Sequence, residues 1–165
     1  MGMTTAPLLT HDSDLVAYRI SAGDTVKLVP LTGPADGSPT SVFFEIWDPS
    51  GSQPDNSHPE SVEIFVFLKG EGVAVSDEHS VAVTAGDVLV LPVGSVHHIK
   101  NASATEKLYA VTVMANDLGS QASDSSVKGF HELVLGGIPD TFDDADRAVF
   151  VQNAATVARY APAAS

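Results

Sequence analysis

Two short stretches of the chain hold residues able to grip a metal ion. The first, Gly51 to Glu63, contains Asn56, His58, Glu60 and Glu63; the second, Gly86 to Asn101, contains His97 and His98. His58 and Glu63 are separated by an odd number of positions, so on one straight strand they would point to opposite faces. A turn must therefore intervene, and Pro59-Glu60-Ser61 is suited to make it. With His97 arriving from a later strand, the set offers two neutral imidazoles and one carboxylate, the composition of the facial triad of non-haem iron sites. Asn56 shares strand parity with His58, so its carbonyl oxygen could reach the same ion or hydrogen-bond a bound water. Such nitrogen and oxygen donors suit a divalent transition metal, whether iron, manganese, nickel, copper or zinc, without choosing among them. The chain has no Cys, which excludes disulfides, thiolate nucleophiles and Cys-ligated zinc or iron–sulfur sites.

The elements that must position these residues read as strands. Short runs rich in Val, Ile, Phe and Thr recur between clusters of Gly, Pro, Asp and Ser, the pattern of an all-β sandwich or barrel. Strands are expected at about 14–20, 25–31, 41–48, 62–69, 72–76, 80–84, 88–92, 96–101 and 107–115. Turns fall at Asp48-Pro49-Ser50-Gly51 and at Ser76 to Ser80, the tip of a hairpin. The run from Glu63 to Lys69 carries apolar residues on both faces, with Phe65 and Phe67 on one and Ile64, Val66 and Leu68 on the other. Its outer face therefore needs a cover, from another sheet, a terminal segment or a partner subunit. Beyond Asp117 the stretch Leu118 to Lys128 is rich in Gly, Ser and Asp and reads as a mobile connection. A strand-like run follows at Phe130 to Leu135. Gly136-Gly137-Ile138-Pro139 then breaks the chain, and Thr141 is placed to cap a helix reaching about Ala158. An Ala-rich tail closes the chain at 161–165.

Gly86, Pro92, Gly94, His97 and Asn101 follow the pattern Gly, five residues, Pro-x-Gly, two residues, His, three residues, Asn. Glu63 and Gly70 fit a second pattern, Glu, six residues, Gly. On these residues the chain resembles the cupin family over about 41 to 115. The resemblance implies a double-stranded β-helix, or jelly-roll, barrel with a metal site inside. The family usually opens its first motif with His-x-His, whereas this chain has Asn56-Ser57-His58. Either His58 is the second histidine with Asn56 in the first slot, or His58 is the first with Glu60 in the second. The former is preferred, because a Pro commonly follows that second histidine and four residues then separate His58 from Glu63. The metal set is accordingly His58, Glu63, His97 and Asn56. Glu60 alone reads as a solvated loop charge, His98 should face away from His97, and His79 and His11 lie at a hairpin tip and near a chain end. The glycines of the motifs read as turn devices.

The organisation expected is a barrel with N-terminal strands over 1–117, then a linker, strand and C-terminal helix over 118–165 that pack on it. In a chain of 165 residues this amounts to a single domain with a sizeable core. Lys and Arg number 8 against 21 Asp and Glu, a formal charge of -13 that opposes nucleic-acid and anionic membrane partners. No apolar stretch approaches membrane-span length, and the first residues lack the features of a signal peptide, so a cytoplasmic location is expected. Phe44, Trp47, Phe65, Phe67 and Tyr109 are candidates to line an apolar pocket, although aromatic residues at strand spacing are more often plain core. No pair of cations lies near the motifs, which disfavours sugar-phosphate or oxalate chemistry. The expected function is a metal-binding small cupin, oxygenase-like, acting on a small organic substrate inside the barrel, with catalytic residues unassigned. The alternative is a non-catalytic barrel that holds a small ligand, its metal structural, weak or absent. A homodimer is expected, because the doubly apolar strand 62–68 needs a cover.

Overall fold

The computed structural model describes residues 6–119 and 128–158, with side chains as far as Gln152. Among the described residues ten strands form: β1 Ala17–Arg19, β2 Val26–Thr32, β3 Ser41–Trp47, β4 Glu63–Lys69, β5 Glu71–Ser76, β6 His79–Thr84, β7 Val88–Leu91, β8 His97–Asn101, β9 Leu108–Met114 and β10 Ile138–Asp140. Two helices follow the barrel strands, α1 Phe130–Leu135 and α2 Asp144–Ala158. All strand pairs are antiparallel. A seven-stranded sheet in the order β10-β1-β2-β3-β9-β4-β7 packs against a three-stranded sheet in the order β6-β5-β8. This is the expected jelly-roll sandwich. Inward-facing side chains of both sheets, including Trp47, Phe65, Phe67, Ala74, Val83 and Ile99, form one core cluster between them.

Three expectations about the later part of the chain need correction, and two fall outside the described residues. The run Phe130 to Leu135 is a helix, not a strand. The buried Asp117 decides this: its carboxylate accepts the N–H of Phe130 at 2.7 Å and of His131 at 2.9 Å, meeting the free donors of a helix start from 13 residues upstream. Ser41 Oγ donates to the same carboxylate at 2.6 Å and anchors it to β3. The cap of α2 is Asp143, not Thr141, since the N–H of Asp146 donates to Asp143 Oδ1 at 2.8 Å. Ile138 and Pro139, expected within a break at 136–139, instead pair with β1 as part of β10. Residues 120–127 of the expected mobile connection, and the Ala-rich tail at 161–165, lie outside the described residues.

The outer face of the large sheet is apolar across five strands, and α2 covers half of it. Phe44, Ile46, Val29 and Tyr109 are buried there beneath Phe142, Val149 and Phe150, with Leu68 packed alongside. Phe44 stacks on Tyr109 at 5.9 Å between ring centres and meets Phe150 at 5.3 Å. Fully buried Asp146 pins the helix, receiving Lys107 Nζ at 2.7 Å and the Tyr109 hydroxyl at 2.9 Å, with Lys27 Nζ 3.6 Å away. The other half stays open: Ile64 pairs with Val90 and Val66 with Val88, and the two valines are 58% and 63% exposed. No helix among the described residues is long and apolar enough to cross a membrane.

Removing one member of a buried ion cluster leaves the others uncompensated, typically at about 3–5 kcal/mol. Asp146→Ala should therefore lower the unfolding free energy by about 3 kcal/mol or more in chemical denaturation. Exposed Asp144→Ala, on the same turn, should cost less than about 1 kcal/mol.

Candidate metal centre

Three strands or strand extensions bring the donor residues together. His97 opens β8 and Glu63 opens β4, both with side chains turned inward and both buried. His58 precedes β4, and a bend at Pro59-Glu60 lies between them, which reconciles their opposite parity. Backbone contacts fix that segment: Gly94 N–H donates to the His58 carbonyl at 3.0 Å, and Ser57 Oγ to the Gly94 carbonyl at 3.1 Å. Gly94 sits at φ +79°, a left-handed conformation that favours glycine, so its place in the motif is explained by the backbone. Asn101 is likewise structural. Its amide donates to the carbonyls of Asp48 at 3.0 Å and Glu106 at 2.8 Å, tying the end of β3 to the loop before β9.

One donor atom each from His58, Glu63 and His97 lies within 4.8 Å of the other two, and no other such trio is found among the described residues. Glu63 Oε2 is 2.8 Å from His97 Nε2 and 3.5 Å from His58 Nε2. His97 Nδ1 lies 3.1 Å from the Ser95 carbonyl, which can only accept. Nδ1 therefore carries a proton, which leaves Nε2, aimed at the carboxylate oxygen, as the nitrogen able to ligate an ion. Both atoms are buried, and neither has a hydrogen-bond partner. Two such acceptors face each other stably only with a cation or proton between them, and a backbone-oriented imidazole is the usual supporting arrangement of a metal ligand. Burial, opposed by the charge of Glu63, pushes His58 below the ordinary imidazole range and favours its neutral, ligating form.

Asn56 lies directly opposite His97 in an antiparallel bridge, so the two side chains share a face. Its Nδ2 donates to the Pro54 carbonyl at 3.2 Å, while Oδ1 is buried without a partner. Glu60 is exposed and belongs to the turn. His98 faces outward and pairs with Asp55 at 2.6 Å; His79 is exposed. The aromatic candidates fall elsewhere than around a pocket. Phe44 and Tyr109 are on the far side of the sheet, under α2, while Trp47, Phe65 and Phe67 fill the barrel core. The aromatic ring that does approach the donors is Phe130, edge-on to His58 at 5.6 Å between ring centres.

Residues 43–114 match the family described as the cupin domain. This segment of the chain is a cupin domain. Solved structures agree on the fold. A predicted oxalate decarboxylase from Thermotoga maritima is 24% identical at a TM-score of 0.58, over 66% of this chain and 99% of that one. The Cnp3 cupin domain of Schizosaccharomyces pombe is 16% identical at 0.51, over 56% and 61%. A recombinant oxalate oxidase solved with glycolate is 24% identical at 0.53, over 61% and 55%. The chain thus spans less than two thirds of the last two. A sequence search of curated proteins gives no match.

Sequence reasoning passed over one ionisable group inside the cupin barrel. Glu45, on β3 between inward-facing Phe43 and Trp47, is fully buried and accepts Gln53 Nε2 at 3.0 Å. Gln53 Oε1 in turn accepts the Ile99 N–H at 3.1 Å, so the pair bridges the two sheets. Burial first, and the charge of Glu63 second, push the Glu45 carboxyl up to about 8. Its parity with Phe43 and Trp47 is the signal that could have found it.

Because the folded state keeps a proton that the unfolded chain releases, stability is highest below the ordinary value of 4.5 and is lost as pH rises from there through about 8. In the metal-free protein this loss is on the order of 5 kcal/mol. Glu45→Gln should flatten it, so that thermal unfolding at pH 9 occurs at higher temperature in the variant than in the wild type.

Proposed function

We propose that the chain is a metal-dependent cupin in which His58, Glu63 and His97, with the amide oxygen of Asn56 as the fourth donor, hold a divalent transition ion, and that it acts in the manner of an oxygenase on a small organic substrate. The observation that carries this is the close approach of His97 Nε2 and Glu63 Oε2, two buried acceptors without partners, beside a neutral His58. Two imidazoles and one carboxylate are the composition used by non-haem iron oxygenases. Held there, the ion would supply Lewis acidity and, for iron, manganese or copper, one-electron redox chemistry. The protein's own contribution is legible in the residues. Ser95 fixes the ring of His97, and Glu63 brings the charge that the ion offsets. Phe130 screens His58 from water, and Glu45 keeps a proton within the barrel at neutral pH. A cleft borders His58 and Asn56, so a substrate can reach the centre from that side.

One observation favours the non-catalytic reading, a ligand-binding barrel with weak metal. An amide oxygen is a poorer donor than imidazole for late first-row metals, and Asn56 occupies a slot where the family usually has His. Titrating Mn(II) or Fe(II) into wild type, His97→Ala and Asn56→His separates the two. Stoichiometric binding by wild type, abolished or weakened more than about 100-fold in His97→Ala, supports the proposal, since loss of a merely supporting group costs about 10–100-fold. Tighter binding by Asn56→His places residue 56 on the ion. No measurable binding by wild type or Asn56→His overturns the metal reading.

We also propose that a second copy sits on the open strip of Ile64, Val66, Val88 and Val90. Sedimentation should show a dimer at micromolar concentration that Val90→Lys converts to monomer; a wild-type monomer would refute it.

A further inference from the structure

The cleft beside His58 has a volume of about 350 Å³, within the range of small-molecule sites, roughly 300–1,000 Å³. Its apolar walls are Ile20, Val26 and Leu28 on one side and Phe130 and Leu133 on the other. Every one of these wall residues lies outside the segment 43–114 that matches the cupin domain. The part of the site that would meet the body of a ligand is therefore this chain's own, while the donor set comes from the shared barrel.

The charges around the cleft restrict what it can hold. Lys128 is the one Lys or Arg on its described lining, and Asp24 lies on the same lining. The two cations nearest in sequence to the wall are committed elsewhere. Arg19 pairs with Asp140 at 2.6 Å and Asp48 at 3.0 Å, and Lys27 donates to the Thr141 carbonyl at 2.8 Å on the far side of the sheet. A compact dianion such as oxalate or a phosphate ester needs several fixed donors or cations to replace its lost water, and this cleft does not supply them. A divalent ion on one carboxylate, two neutral imidazoles and an amide leaves a single positive charge. A singly charged ligand balances it. Burying an apolar body against the five wall residues then adds the affinity that charge alone would not give.

From these observations we infer that the cleft takes a small monoanion with an apolar body, an aromatic or branched aliphatic carboxylate, whose carboxylate end points to His58 and Asn56 and whose body lies between Leu28 and Leu133. The assignment rests on the proposed metal centre for its anionic end and on the walls for its apolar end, so the two can fail separately. Phenylacetate, acetate and oxalate, titrated by calorimetry into the full chain with and without Mn(II), are the probes. In the Mn(II)-loaded protein phenylacetate should bind at least tenfold more tightly than acetate and more tightly than oxalate. Leu133→Ser, at a half-exposed position where folding is not at risk, and Phe130→Ala should each weaken phenylacetate at least fivefold. In Leu133→Ser the affinities for acetate and Mn(II) should stay within twofold. Oxalate binding more tightly than phenylacetate, or Leu133→Ser weakening acetate and phenylacetate alike, would overturn the inference. If Mn(II) itself does not bind, the metal reading fails, and phenylacetate titrated into the metal-free protein still decides the cleft: wall-dependent binding upholds it, and none overturns it.

Discussion

Two carboxyl groups, Glu45 and Glu63, are buried inside one small barrel of a chain carrying a formal charge of -13. A low-dielectric interior cannot hold two such charges uncompensated. The structure meets this constraint in two different ways. Glu45 keeps its proton, helped by burial and by the neighbouring charge of Glu63, and is satisfied by the amide of Gln53. Glu63 instead faces the Nε2 atoms of two imidazoles, a contact that holds only with a cation or a proton between them. The polar interior thus has one neutral end, at Glu45, and one end where His58, Glu63 and His97 could together hold a cation.

How far this was readable from sequence differs from residue to residue. The stretch from Gly86 to Asn101 was legible because each fixed residue answers to a local backbone demand: Gly94 to a left-handed turn, Asn101 to three carbonyl and amide contacts at the end of β8. His58 and Glu63 were legible through parity and the intervening Pro. Glu45 was not, since a single acidic residue in a strand is ordinarily solvent-facing, and only its alternation with Phe43 and Trp47 marks it as inward. The aromatic candidates were misplaced for a related reason. Phe44 has the opposite parity to Trp47, but with both faces of β3 apolar the composition does not say which side holds the core and which side a helix covers. Phe130 to Leu135 read as a strand because a six-residue run with four apolar residues is too short to show a period; the long-range cap from Asp117 settles its conformation, and no local pattern could reveal it.

The segments flanking the barrel connect stability to recognition. β1 pairs with both β2 and β10, and the Arg19 guanidinium joins Asp140 of β10 to Asp48 at the end of β3. The hydrogen bond from Arg19 holds the Asp140 carboxyl below the usual carboxylate range, so this link persists into mildly acidic solution. Through it the N-terminal wall of the cleft and the chain that follows α1 are fastened to each other and to the barrel. On the other side of the sheet, α2 continues directly from β10 and is fixed by Asp146 to Lys107 and Tyr109. A perturbation of that ion cluster would therefore loosen β10, then β1, and with them the wall that Ile20 contributes. Two of the donor residues lie farther from that cluster: Glu63 pairs with Met114, at the end of β9 opposite to Tyr109, and His97 opens β8 in the other sheet. His58, Glu63 and His97 thus come from within the segment 43–114, and the cleft walls from the segments that flank it, so that the walls can vary while the three donor residues keep their places.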